Sequence, residues 1–136
     1  MKKWLFLMLP ALLLLTGCGK AENTEKEPGY EMITPQKAKT IMETEQDYVI
    51  LDVRTLPEYD MGHILGAILI DHEEIEEKAE EFLPDKDQLI LVYCRSGRRS
   101  KIAAEALVKM GYTHVKEFGG IQDWPYEIEG IDETEG

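Results

Sequence analysis

Two runs of consecutive apolar residues stand out between residues 30 and 126: Tyr48-Val49-Ile50-Leu51, closing on Asp52-Val53, and Leu89-Ile90-Leu91-Val92-Tyr93. Short, β-rich apolar runs of this kind predict strands buried on both faces, as in a parallel sheet. The pattern then switches period. From Ile102 onward apolar residues fall at Ile102, Ala103, Ala106, Leu107 and Met110, the stripe of an amphipathic helix, and Gly111 is placed to stop it. An earlier helix is predicted from Thr34-Pro35, a hydroxyl cap followed by proline, to about Glu43, with Ala38, Ile41 and Met42 on one face. Ile75, Ala79, Phe82 and Leu83 predict another over His72 to Leu83; its other face is nearly all glutamate and solvated, with Glu74 and Lys78 spaced as an i,i+4 pair. Met32-Ile33, Ala67 to Ile70 and His114 to Phe118 complete the strand candidates. Gly119-Gly120 reads as a turn into a short helical segment ending at Trp124, and the acidic tail after Tyr126 as frayed. No internal repeat is visible. Alternating strands and helices predict a single α/β domain, with a mainly parallel central sheet and helices on both faces.

Cys94 lies where the second apolar strand hands over to the helix, and Cys94-Arg95-Ser96-Gly97-Arg98-Arg99-Ser100 forms the turn between them. In open parallel sheets ligands bind at the carboxyl ends of the strands. The first amides of a helix lack intrahelical partners and favour an anion. A thiol beside such amides and beside Arg95, Arg98 and Arg99 is expected to ionise more easily than an ordinary one, at about 8.5. Thiolate is the nucleophilic form, so Cys94 is the candidate for covalent catalysis on an anionic or sulfur-bearing substrate.

The loop resembles the active-site loop of the rhodanese (sulfurtransferase) family. Further marks of that family occur in order: Leu51-Asp52-Val53-Arg54 with Glu58 and Tyr59, Gly62-His63-Ile64-x-Gly66-Ala67, and Gly119-Gly120-Ile121-x-x-Trp124. The resemblance implies a rhodanese-like fold and a sulfurtransferase that carries sulfane sulfur as a persulfide on Cys94. Residues 95 to 99, with the side chains of Arg95, Ser96, Arg98 and Arg99 and the turn at Gly97, would hold the persulfide and any oxyanion. Arg99 is open between that role and a salt bridge to a neighbouring acid. Ser96 is expected to bond the sulfur or cap the helix, and Ser100 to be a helix-terminus residue. Asp52 and Arg54 read as structural support through charge-assisted hydrogen bonds, and Glu58 and His63 likewise. Trp124 reads as a packing residue. Leu69 stands where the family often has asparagine, a change expected to alter packing rather than chemistry.

The amino terminus reads separately. Met1-Lys2-Lys3, the apolar stretch Trp4 to Leu15, and Leu15-Thr16-Gly17-Cys18 have the pattern of a secretory leader (1–17) and resemble a bacterial lipoprotein signal. Cys18 is the expected lipidation site. Residues 18–29 read as a flexible tether, and 30–136 as the domain with its acidic tail. The expected location is the extracytoplasmic side of a bacterial membrane, touched only through the lipid. Cys94 is then the one thiol left in the domain, which excludes an internal disulfide framework.

Formal net charge is −12, and loss of the leader removes Lys2 and Lys3 but no acid. A chain this acidic is a poor nucleic-acid binder. His63, His72 and His114 are scattered without ligand spacing, so no metal site is expected, and no cofactor is implied. The expected partners are a small sulfur-containing anion and a thiol, cyanide or protein acceptor, with the domain monomeric. Two other classes compete. Cysteine-dependent phosphatases and arsenate reductases of related fold use Cys-x5-Arg, whereas here the register is Cys94-x4-Arg99 and position 100 is Ser100. A non-catalytic anion-binding, partner-binding or redox-sensing module is the other.

Overall fold

The structure, a computed structural model, describes residues 29–130. The leader, Cys18, nearly all of the tether and residues 131–136 lie outside the described residues. In chain order the elements are β1 (Glu31–Met32), α1 (Pro35–Thr44), β2 (Tyr48–Asp52), α2 (Leu56–Asp60), β3 (His63–Ile64), β4 (Ile68–Leu69), a 3-10 turn at His72–Glu74, α3 (Ile75–Phe82), β5 (Leu89–Cys94), α4 (Arg98–Lys109), β6 (Val115–Gly120), a 3-10 turn at Ile121–Asp123 and β7 (Ile128–Glu129). Five strands form one sheet in the order β1-β6-β5-β2-β4, with every neighbouring pair parallel. β3 and β7 form a separate antiparallel pair.

β5 is central and buried along its whole length. Its side chains alternate between two cores. Leu89, Leu91 and Tyr93 pack with Ala38 and Ile41 of α1 and with Phe118 and Trp124. Ile90, Val92 and Cys94 face the other way, onto Ala79 of α3 and Ala103, Ala104 and Leu107 of α4. Helices therefore cover both faces of an α/β domain, as the pattern predicts. Each buried aliphatic side chain here contributes about 1.5–3 kcal/mol.

Several local expectations hold for the reasons given. The Thr34 hydroxyl accepts from the Lys37 amide at 3.1 Å, Gly111 ends α4 with φ +97°, and Lys78 donates to Glu74 at 2.9 Å. Others are corrected. The segment from His72 is two pieces, because the Asp71 carboxylate caps a 3-10 turn by accepting from the Glu73 amide at 3.0 Å, and α3 begins only at Ile75. Phe82 and Ile102, expected on buried stripes, are 52% and 44% exposed. The buried face of α3 runs through Ile75 and Ala79 and that of α4 through Ser100, Ala103, Ala104 and Leu107, which leaves Phe82 and Ile102 turned outward. Gly119 and Gly120 belong to β6 rather than to a turn after it. The tail does not fray directly after Tyr126: Ile128–Glu129 pairs with β3, and Glu129 accepts from the Gly66 amide at 3.0 Å.

Candidate functional site

Parallel pairing brings the carboxyl ends of β2, β5 and β6 to one edge, with Asp52, Cys94 and Gly120 at the strand ends. The β5–β6 register slips between Val92, opposite Glu117, and Cys94, opposite Gly120. β6 thus spends three residues where β5 spends two, a bulge that Gly119 accommodates at φ +88°. The bulge carries Gly120 beneath the Cys94 loop. A Cβ there would fall 1.9 Å from the Arg95 carbonyl oxygen and 2.5 Å from the Ser96 nitrogen, so only glycine lets the loop settle on the sheet. The Gln122 amide then donates to the Arg95 carbonyl at 3.2 Å.

The loop turns back at Gly97, whose φ of +104° is the left-handed region that favours glycine. That turn starts α4 and aims the Gly97 amide at the Cys94 sulfur, 3.0 Å away. The Ser100 Oγ lies 3.4 Å from the sulfur. Burial pushes the Cys94 thiol up. Hydrogen bonds at the sulfur, those from the amides of Ser100, Gly97 and Ser96 among them, outweigh burial and leave the thiol below its ordinary value. Sequence reasoning reaches the same direction but assigns much of it to the arginines, and the geometry assigns it to hydrogen bonds at the sulfur, the loop amides' among them. Arg95, Ser96 and Arg98 are exposed around the loop, while Cys94 and Gly97 are buried. The nucleophile is thus at the floor of a basic rim.

Arg99 is committed elsewhere. Its two terminal nitrogens donate to Glu58 at 2.7 and 2.8 Å, which ties the start of α4 to α2. The Arg99 bond, against the opposing effect of burial and with help from Thr55, holds the Glu58 carboxyl down at about 2. Asp52 and Arg54 form a buried ion pair. The Arg54 amide, Nε and Nη2 donate to the Asp52 carboxylate at 2.9, 3.0 and 2.7 Å, and Nη2 also reaches the Gly62 carbonyl at 2.6 Å. The Tyr93 hydroxyl donates to Asp52 at 2.6 Å and accepts from the Ile64 amide at 3.0 Å. Burial first, then the Asp52 charge, raises the Tyr93 phenol. His63 stacks on Tyr59 with ring centroids 3.7 Å apart. Leu69 is half-buried in β4 at the sheet edge.

Ser100 lies in the first turn of α4, the helix terminus expected of it; its contact with the sulfur is what sequence reasoning missed. It is a buried neighbour of the sulfur, and its hydroxyl lies 2.7 Å from Glu117, itself buried. The alternation of β6 was a readable signal, since Glu117 shares a strand face with Val115 and points at the same core as Cys94. Among the described residues no group of three or more His, Cys, Asp or Glu side chains is placed to hold a metal ion.

The family model for the Rhodanese-like domain matches residues 34–126. The chain is 44% identical over 73 residues to the thiosulfate sulfurtransferase PspE of Escherichia coli, an alignment covering 54% of this chain and 70% of that protein. It is 32% identical over 96 residues to the thiosulfate sulfurtransferase GlpE of Coxiella burnetii, covering 70% of this chain and 87% of that one. The solution structure of the rhodanese-like domain of the Anabaena Alr3790 protein superposes with a TM-score of 0.70 at 31% identity, covering 81% of this chain and 84% of that one. A buried cysteine under helix-start amides at the end of a parallel strand, with these matches around it, makes the chain a member of the rhodanese family.

Proposed function

We propose that this protein is a rhodanese-type sulfurtransferase that moves sulfane sulfur from thiosulfate or a persulfide donor to a thiol, protein thiol or cyanide. The observation that carries the reading is the Gly97 amide 3.0 Å from the Cys94 sulfur, one of a set of fixed donors that lower the thiol's pKa. Donors held in place before the reaction cost no reorganisation during it. The Cys94 thiolate attacks the outer sulfur of thiosulfate. The sulfur–sulfur bond of the donor breaks, sulfite leaves with its electron pair, and Cys94 carries a persulfide whose terminal charge the loop amides stabilise. Cyanide or a thiolate then takes that sulfur and regenerates the Cys94 thiolate, a ping-pong sequence. Arg95 and Arg98, exposed on the rim, attract the anionic donor.

The relative PspE, a thiosulfate sulfurtransferase by name, supports the donor class. The loop disfavours a phosphatase, because Ser100 stands where the longer loop needs arginine and Arg99 pairs with Glu58. The kinetic test is thiosulfate:cyanide turnover with Cys94→Ala as control. Parallel double-reciprocal lines in the native protein, and loss of turnover in a folded variant, are expected. Substantial turnover by folded Cys94→Ala contradicts the scheme. The leader-like stretch and Cys18 lead us further to place the domain on a lipid anchor outside a bacterial cytoplasm. Cys18→Ala is then expected to move the protein from the membrane to the soluble fraction, and an unchanged distribution rejects the anchor.

A further inference from the structure

Ser100 has one hydroxyl hydrogen and more than one claimant. Its Oγ lies 2.7 Å from Glu117 Oε1, 3.0 Å from the Gly97 carbonyl, 3.4 Å from the Gly119 carbonyl and 3.4 Å from the Cys94 sulfur. The shortest of these contacts is to a carboxylate, and charge-assisted bonds are the stronger ones. Glu117 is only 2% exposed, and its Oε1 also accepts from the Gly119 amide at 2.8 Å. Lys116, the adjacent cation, is turned to the other side of the sheet by the strand's alternation and pairs with Glu31. Tyr30, ahead of β1, has its phenol raised by burial, by Glu105 of α4 and by Glu117. The groups facing Glu117 are therefore Ser100 and Cys94, with Tyr30 and Glu105 on the outer side.

We infer that Glu117 is a positioning residue that, by holding the Ser100 hydrogen, turns the Ser100 oxygen toward the Cys94 sulfur as an acceptor and so disfavours negative charge on that sulfur. The inference rests on the persulfide reading in one respect, the consequence for sulfur loading. An acceptor oxygen beside Sγ suits an S–H or a neutral, disulfide-like sulfur and opposes a thiolate. In the persulfide, Sγ is neutral and the charge sits one sulfur further out, under the loop amides and away from Glu117. The Glu117–Ser100 pair therefore raises the free energy of the empty thiolate relative to the loaded state. It also keeps the thiolate a strong nucleophile, because nucleophilicity falls as thiol pKa falls. The amides make the thiolate accessible, and Glu117 limits how far they stabilise it.

Glu117→Gln tests this, because the amide oxygen can still accept from Ser100 and Gly119 while the charge is gone. In the full chain, the rate of iodoacetamide capture at the peptide carrying Cys94 is followed against pH. The expected result is a midpoint lower by about one pH unit, a roughly tenfold change in the thiol–thiolate equilibrium. Above both midpoints, the ratio of persulfide to thiolate at fixed thiosulfate and sulfite is expected to fall by up to about tenfold. On a Ser100→Ala background the Glu117→Gln shift is expected to drop by more than half. An unchanged or raised midpoint in folded Glu117→Gln overturns the inference, as does an equal shift without Ser100. Glu117→Asn carries the same prediction should the glutamine variant fold poorly. Failure of the native protein to take sulfur at all would strike the persulfide reading instead, and leaves the alkylation midpoint as an independent measure.

Discussion

A cysteine side chain ordinarily ionises at about 8.5, and burial alone raises that value. At Cys94 hydrogen bonds at the sulfur, those from backbone amides among them, reverse the direction, and the aim of the amides depends on two glycines. Gly97→Ala places a side chain at φ +104°, although the nearest atom to its Cβ would be the Gly119 Cα at an ordinary 3.5 Å. The strain, about 1–2 kcal/mol, is expected to appear partly as lower stability and partly as a displaced amide. A denaturant midpoint and the Cys94 alkylation profile are expected to shift together, the latter upward. Gly120→Ala is the harsher change, since its Cβ would overlap the Arg95 carbonyl at 1.9 Å. Loss of sulfur loading with a recognisable fold is expected, and near-native loading would refute the role given to the close approach. Asp52→Asn leaves Arg54 buried without its charged partner, and a loss of about 3–5 kcal/mol is expected by chemical denaturation.

Between elements, the Arg99–Glu58 pair joins α4 to α2. Glu58 is held at about 2 in the fold against an ordinary 4.5. A depressed carboxyl contributes stability that is present above its unfolded value and lost as pH falls through the folded one. Melting temperature is therefore expected to fall between about pH 4.5 and 2 in the native protein, and the gap to Glu58→Gln to close over that window. A gap independent of pH would argue against the pair. At this scale the chain was partly legible. The long strands β2 and β5 and the helices α1 and α4 follow from apolar period and caps, because each buries a continuous face. α2 was written in Thr55-Leu56-Pro57-Glu58, a capping box with both bonds formed and proline in the first turn, but five residues leave too little periodicity to predict a helix. The pairing of β3 with β7 joins two-residue strands far apart in sequence, for which no local pattern exists. Within the site, Cys94 and the Gly97 turn were readable from the strand-to-helix switch. Ser100 against the sulfur and Gly120 under the loop were not, because the first depends on how tightly α4 turns back over Cys94 after Gly97 and the second on the β6 bulge.

For the whole molecule, a parallel sheet sets the site at one edge and leaves the other for packing. A concavity of about 400 Å³ lined by Lys37, Asp47, Asp87, Leu89, His114 and Lys116 lies at the opposite, amino end of β5, away from Cys94. The acidic chain, at −12, exposes Arg95 and Arg98 at the Cys94 loop, where the proposed anionic donor would meet them. The central claim is that Cys94 carries the transferred sulfur. Its most direct test is mass spectrometry of the peptide carrying Cys94 after incubation of the protein with thiosulfate, and again after cyanide. A gain of one sulfur on Cys94, removed by cyanide with release of thiocyanate, is the predicted result. A folded protein with reduced Cys94 that gains no sulfur from thiosulfate or from persulfide donors would contradict it.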